Sequence, residues 1–277
     1  MCTTCGCSDT EHVMITDPVT GERTVLADHD HGHPHAHGDH QHDHDHDHDQ
    51  ASLHAGVHGR VVQLERDLLA KNQLIAERSR GWFEGREILA VNLMSSPGAG
   101  KTTLLERTIG VVSQSAPVYV VEGDQATLND AERIKAAGAP VVQINTGTGC
   151  HLDADMVARG MTELKPPHGA VVFIENVGNL ICPALFDLGE RAKVVILSVT
   201  EGEDKPIKYP HMFRACQLML INKTDLLPHL RFSVERCIGY AREINPGIRV
   251  ITVSAETGDG IDAWFAWLDA ERRALSL

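Results

Sequence analysis

Three thiols stand within the first seven residues: Cys2, Cys5 and Cys7, in a C-x-x-C-x-C pattern. This spacing puts three soft ligands in one short loop and leaves a fourth coordination position open. If Met1 is removed, the amine of Cys2 can fill that position. An amine with thiolates suits a square-planar ion, favouring Ni(II) over tetrahedral Zn(II). The alternative is three unligated thiols, prone to oxidation. A second tract holds ten histidines between His29 and His48, mostly alternating with Asp. Neutral imidazole suits nickel, zinc and copper, and such a tract would bind several ions by mass action with little geometric selection. An expression tag is the other reading, but the run is internal and mixed with Asp and Gly. A third set is Cys150-His151 with Cys182. Three ligands are the number of an open or shared site, and two subunits meeting there would bring six. Nickel or zinc would suit it. Read without His151, Cys150 and Cys182 are as readily core thiols, the role expected of Cys216 and Cys237 in their apolar surroundings.

A different chemistry is written at Ser95-Ser96-Pro97-Gly98-Ala99-Gly100-Lys101-Thr102-Thr103, between an apolar run and a helix-length segment. In a phosphate-binding loop, glycines let backbone N–H groups converge on phosphate oxygens and the helix N-terminus adds positive potential. The lysine reaches the outer phosphates and the hydroxyl binds Mg²⁺. The strict pattern places Gly where this chain has Ser95; Gly98 lies inside the loop instead. Gly98 to Thr103 are therefore expected to cradle a nucleotide, with Thr102 as a direct Mg²⁺ ligand. Farther on, Asn222-Lys223-Thr224-Asp225 follows another apolar run. A carboxylate at Asp225 can accept from both the ring N–H and the exocyclic amine of guanine, a donor pair adenine lacks, so GTP is favoured over ATP. Ser254-Ala255, after the next run, is placed to support the guanine oxygen through a backbone N–H. Asp124 and Glu175 each follow a strand end. They are expected either to ligate Mg²⁺ or to hold its waters, helix capping being the alternative. Gly178 would sense the γ-phosphate through its N–H. Lys101, Asp124 and Glu175 are the residues expected to carry the chemistry. No residue announces itself as a base for attacking water, so slow hydrolysis is expected.

These groups need a scaffold. Apolar runs at Ile88–Met94, Val118–Val121, Val141–Ile144, Ala170–Ile174, Val194–Val199, Leu218–Ile221 and Arg249–Val253 alternate with helix-length segments at 101–114, 126–137, 153–164, 231–244 and 261–273. Continuous apolar strands alternating with helices predict a mainly parallel sheet covered on both faces. The expected class is α/β: a P-loop GTPase with a mainly parallel sheet flanked by helices, preceded by a disordered metal-binding N-terminal arm. The arm is set at 1–50, a linker at 51–59 and the GTPase domain at 60–277, opening with a helix over 60–79. Charge supports this division. The chain carries −13 overall, yet residues 1–50 hold eleven acids against Arg23 alone. That leaves a nearly neutral body, which argues against nucleic-acid binding. No apolar window is long enough for a membrane span and no secretory signal is evident, so a cytoplasmic protein with reduced thiols is expected.

Taken together these residues resemble the HypB family, GTPases that help insert nickel into [NiFe]-hydrogenase. The resemblance runs from Met1-Cys-Thr-Thr-Cys-Gly-Cys7 through the His-rich arm and Ser95–Thr103 to Gly149-Cys-His-Leu-Asp153. It continues in Glu175-Asn-Val-Gly-Asn-Leu-Ile-Cys-Pro183, Glu201-Gly-Glu-Asp-Lys-Pro206 and Asn222–Asp225. It implies a GTP-dependent homodimer, slow hydrolysis, and nickel transfer with a HypA-type chaperone to the hydrogenase large subunit. It further implies that Asp204-Lys205 reaches the nucleotide or the partner subunit. Three other readings fit less of the chain. A urease-maturation GTPase would carry Cys-Pro-His where this chain has Cys182-Pro183-Ala184. A GTPase serving cobalamin enzymes predicts neither the thiolate cluster nor the His tract. A nickel store with a vestigial nucleotide domain predicts no turnover.

Overall fold

The computed structural model describes residues 14–16, 23–25, 50–124, 129–147 and 149–275, with side chains from Arg66 onward. The strands are β1 (Met14–Thr16), β2 (Arg23–Val25), β3 (Leu89–Ser95), β4 (Val118–Asp124), β5 (Val141–Asn145), β6 (Val171–Glu175), β7 (Ala192–Ser198), β8 (Leu218–Asn222) and β9 (Arg249–Thr252). The helices are α1 (Gln50–Glu84), α2 (Lys101–Val112), α3 (Asn129–Ala136), α4 (Ala154–Leu164), α5 (Lys205–Lys208), α6 (Pro210–Ala215), α7 (Val234–Ile244) and α8 (Ile261–Arg273). Short 3₁₀ turns occupy Cys182–Ala184 and Thr224–His229.

The sheet runs β2-β1-β5-β4-β6-β3-β7-β8-β9. From β5 to β9 every pairing is parallel, as the continuous apolar runs predict. Central strand β3 is buried along its whole length because helices cover both faces. On one face Leu104, Leu105 and Ile109 of α2 and Trp264 and Leu268 of α8 pack over Val91, Phe173 and Val194. The four-residue steps from Leu105 to Ile109 and from Trp264 to Leu268 put each pair on one apolar stripe of its helix. The Trp264 indole, wholly buried, donates to Thr108 Oγ1 at 2.9 Å, so its polar atom is satisfied. On the other face Phe83 of α1 and Val157 and Met161 of α4 cover Val121, Ile144 and Val172. Asn72 ties these two helices to a loop. Its amide nitrogen donates to Asp187 O at 2.8 Å and its oxygen accepts from Ala154 N at 2.9 Å.

At the N-terminal end the structure adds to one expectation and corrects another. The arm is not wholly without structure: β1 pairs antiparallel with β2 and with β5. These three-residue strands have no local signature; the exposed backbone ladder of β5 gives them their partner. The linker set at 51–59 is helical, because α1 begins at Gln50 rather than near residue 60. Cys2, Cys5, Cys7 and the His29–His48 tract lie outside the described residues. Among the described residues no helix is long and apolar enough to cross a membrane.

Candidate functional site

The parallel strands end on one edge of the sheet, and the predicted ligands gather there. The loop after β3 turns into α2 through two glycines with positive φ, Gly98 at 74° and Gly100 at 96°. That conformation is costly for any residue with a Cβ. At Gly100 a Cβ would also stand 2.5 Å from Asn222 Nδ2. Lys101 Nζ donates to Ser95 Oγ at 3.0 Å, and Ser95 Oγ donates to Ser96 O at 2.6 Å. The serine that departs from the strict glycine pattern thus holds the loop's cation. Arg133 Nη2 donates to Thr103 Oγ1 at 3.1 Å on the exposed side.

The base-recognition segment is latched onto this loop. Asn222 donates to Ala99 O at 2.9 Å and accepts from Ala255 N at 3.0 Å. Lys223, itself at φ 63°, donates to Gly98 O at 2.8 Å. Ser254 Oγ donates to Asp225 Oδ1. The structure therefore brings Gly98, Ala99, Gly100, Lys101, Asn222, Lys223, Asp225, Ser254 and Ala255 into one contiguous group. Lys205, implied only by resemblance, also reaches it, donating to Ser96 Oγ at 3.4 Å while paired with Glu201 at 3.3 Å.

The acids form a second layer. Thr102 Oγ1 donates to Glu175 Oε1 at 2.8 Å in a buried contact. Glu122, not foreseen, lies directly across from Glu175 in the β4–β6 register. One oxygen of each, Glu122 Oε2 and Glu175 Oε2, is buried without a hydrogen-bond partner among the described residues. Burial, then the negative charges of Glu175, Asp124 and Asp130, push the Glu122 carboxyl up to about 9, with Lys101 opposing. Glu175 is raised too, chiefly by burial, against Lys101 and the Thr102 hydroxyl. Asp124 sits half-buried at the end of β4. Orphaned carboxylate oxygens beside a threonine hydroxyl are the donor set a hard divalent cation takes, so these residues fit Mg²⁺. The one sequence sign of Glu122 was an acid inside an apolar run, Val118-Tyr-Val-Val-Glu122.

The third group is Cys150, His151 and Cys182, whose ligand atoms all lie within 4.8 Å of one another. Cys150 Sγ is 3.7 Å from His151 Nδ1. Burial pulls the His151 pKa down to about 4, so the imidazole is neutral at pH 7, the form that ligates a metal. Its ring stacks on Phe186 with centroids 4.0 Å apart. Cys182 is almost wholly buried and opens a 3₁₀ turn. Asn179 Nδ2 donates to Cys150 O at 3.4 Å, joining the two cysteine-bearing loops. Cys216 and Cys237 are buried, and desolvation first pushes both thiols up, that of Cys237 to about 12, so the core role read for them is the one seen. Gly178, four residues before Cys182, packs on the phosphate loop: a Cβ there would lie 3.0 Å from Pro97 N and Cα.

Residues 89–252 match the CobW/HypB/UreG nucleotide-binding domain. The hydrogenase maturation factor HypB of Azotobacter chroococcum is 59% identical over 215 residues, covering 78% of this chain and 70% of the relative. The chain belongs to the HypB family. The Escherichia coli HypB is 55% identical over 226 residues, 79% of this chain and 78% of its own length. Two solved HypB structures superpose well. That from Archaeoglobus fulgidus has a TM-score of 0.69 at 38% identity, covering 73% of this chain and 99% of its own. That from Helicobacter pylori, in complex with nickel, has a TM-score of 0.70 at 33% identity, covering 74% and 96%. The HypB nucleotide-binding domain thus spans β3 to β9 and encloses both the phosphate loop and the three-ligand cluster.

Proposed function

We propose that this protein is a GTP-hydrolysing nickel metallochaperone for [NiFe]-hydrogenase maturation, in which nucleotide state sets the affinity of the Cys150–His151–Cys182 site. The observation that carries this reading is the placement of that cluster. Cys182 lies four residues beyond Gly178, on the segment between the strand bearing Glu175 and the rest of the sheet, and Gly178 packs on the phosphate loop. A loop that moves with the γ-phosphate would carry a ligand with it. Metal affinity and nucleotide affinity must then change each other by the same factor.

GTP is favoured by Asp225, which offers a carboxylate for the two guanine donors while Ala255 offers a backbone N–H. Lys101, freed from Ser95 Oγ, is the cation for the outer phosphates. Thr102, Glu175 and Asp124 would hold Mg²⁺, which when bound neutralises charge on the transferring phosphoryl group. A protonated Glu122 beside Glu175 limits the number of buried negative charges until a cation arrives. Two subunits meeting at the three-ligand cluster would complete a shared coordination shell, in keeping with a nucleotide- or metal-dependent homodimer. The Cys2–Cys5–Cys7 cluster and the His tract supply further nickel stations. A HypA-type chaperone and the hydrogenase large subunit are the expected partners in the cytoplasm. Zinc is an alternative occupant of the Cys150–His151–Cys182 site, because its thiolates suit both ions.

The test is a nickel titration of the full chain carrying Cys2, Cys5 and Cys7 as serine, read by thiolate-to-nickel charge-transfer absorption. The His tract has no thiolate and is silent in this band. Affinities in GDP and in a non-hydrolysable GTP analogue should differ by about 5- to 150-fold. Equal affinities would remove the coupling.

A further inference from the structure

Between the phosphate side and the metal side lies one side chain that belongs to neither. Asn176 follows Glu175, precedes Val177-Gly178, and is 1% exposed. Its Oδ1 accepts two backbone N–H groups from two different loops: Leu152 N at 3.1 Å and Val177 N at 3.0 Å. Accepting both fixes the orientation of the amide, so Nδ2 points the other way and donates to Asn92 Oδ1 at 3.4 Å. Asn92 is wholly buried in the central strand β3 and is itself pinned, donating to Glu190 Oε1 at 3.1 Å. Glu190 in turn accepts from Leu188 N at 2.7 Å.

The two amides gripped by Asn176 are consequential ones. Leu152 directly follows His151, and Val177 directly precedes Gly178, which packs on Pro97 of the phosphate loop. The Leu152 side chain is wholly buried and reaches the nucleotide side as well, since a Cβ on Gly123 would meet it at 2.8 Å, one residue before Asp124. One oxygen shared by two loops, backed by a strand that cannot move, is a clamp. If residues 177 and 178 shift when the γ-phosphate is gained or lost, the carboxamide must turn or give up one amide. A buried N–H without an acceptor is unfavourable enough to drag its loop along. The two cysteine loops are also joined near the site by the longer Asn179–Cys150 contact.

We propose that Asn176 is the positioning residue that passes nucleotide state to the metal site. By holding Leu152 N and Val177 N on one carbonyl oxygen, it makes the Cys150–His151 loop follow the Gly178 loop. This inference rests on the coupled reading proposed above, and the experiment keeps the two apart. The same titration is run on the full chain with Cys2, Cys5 and Cys7 as serine, with and without Asn176→Ala, in GDP and in the GTP analogue. The parent should show a ratio of affinities of about 5- to 150-fold. In Asn176→Ala that ratio should fall below about two-fold, while both nucleotides still bind. A purely structural role would shift both nickel affinities together and leave the ratio intact. A parent ratio of one overturns the coupled reading itself. A large parent ratio that survives Asn176→Ala overturns the clamp alone. If the variant does not fold, hydrogen exchange of the Leu152 amide in the parent decides: a clamp requires its protection to change between nucleotide states, and unchanged protection rules it out.

Discussion

The base-recognition end of the site and the metal end are built on opposite plans. At the base end, Asn222 uses both ends of its carboxamide on Ala99 and Ala255, Lys223 is fixed on Gly98, and Asp225 holds the Ser254 hydroxyl. These side chains hold one another through hydrogen bonds, so under the proposed function nucleotide binding there would require little ordering. At the Cys150–His151–Cys182 end the three candidate ligand atoms sit on two loops, three donors where a tetrahedral or square-planar ion would take four. Under the proposed function, one end would hold and the other would change. The difference teaches where regulation can act: on a half-assembled shell a small loop displacement changes affinity, whereas a fully latched pocket resists it.

Substitutions can break that contrast, beginning with the largest effect. Lys101→Ala removes the cation of the phosphate loop. GTP turnover, followed as phosphate release, should fall about 100- to 1000-fold while nickel binding in GDP stays within about two-fold. Equal turnover in both proteins would favour the nickel-store reading. Cys182→Ala is the reciprocal change. Nickel affinity of the internal site should fall at least about 10-fold through loss of a thiolate, with GTP affinity unchanged. A parallel loss of GTP affinity would mean that the metal end is not separable from the nucleotide end.

Glu122→Gln sharpens the contrast on the acid layer. The folded-state pKa of Glu122 is raised from 4.5 to about 9, so the folded protein keeps a proton the unfolded chain has released. That contribution is fully present below about pH 4.5 and is lost as pH rises through about 9. The neutral glutamine escapes the loss. Thermal melts of nucleotide-free protein should show the variant gaining on the parent as pH rises across this window, by at most about 1.4 kcal/mol per pH unit. Identical pH profiles would mean that Glu122 is ionised in the folded protein.

The central seven strands were legible because strands buried on both faces must be apolar throughout, and that pattern survives in one dimension. The phosphate loop and Asn222–Asp225 were legible because their geometry demands particular residue types at fixed spacing. What escaped depends on distant partners. Met14–Thr16 becomes a strand only because β5 offers an open edge. The length of α1 toward Gln50 was missed although Leu53, Val57, Val61 and Leu64 continue its helical spacing, because Gly56 and Gly59 among them read as linker residues. Glu122 and Asn176 look like interruptions or ordinary loop polarity until the register places one opposite Glu175 and the fold places the other beside Leu152. Cys150, His151 and Cys182 could be read as a set because His151 stands next to Cys150, but it is folding that brings Cys182 within reach of them.

The pairing of β1 with β5 has a consequence for the sheet as a surface. Met14–Thr16 lie along Gln143, Ile144 and Asn145, so the outer backbone ladder of the last parallel strand is already occupied by the chain's own antiparallel pair. That stretch of β5 is closed to strand addition from a second molecule.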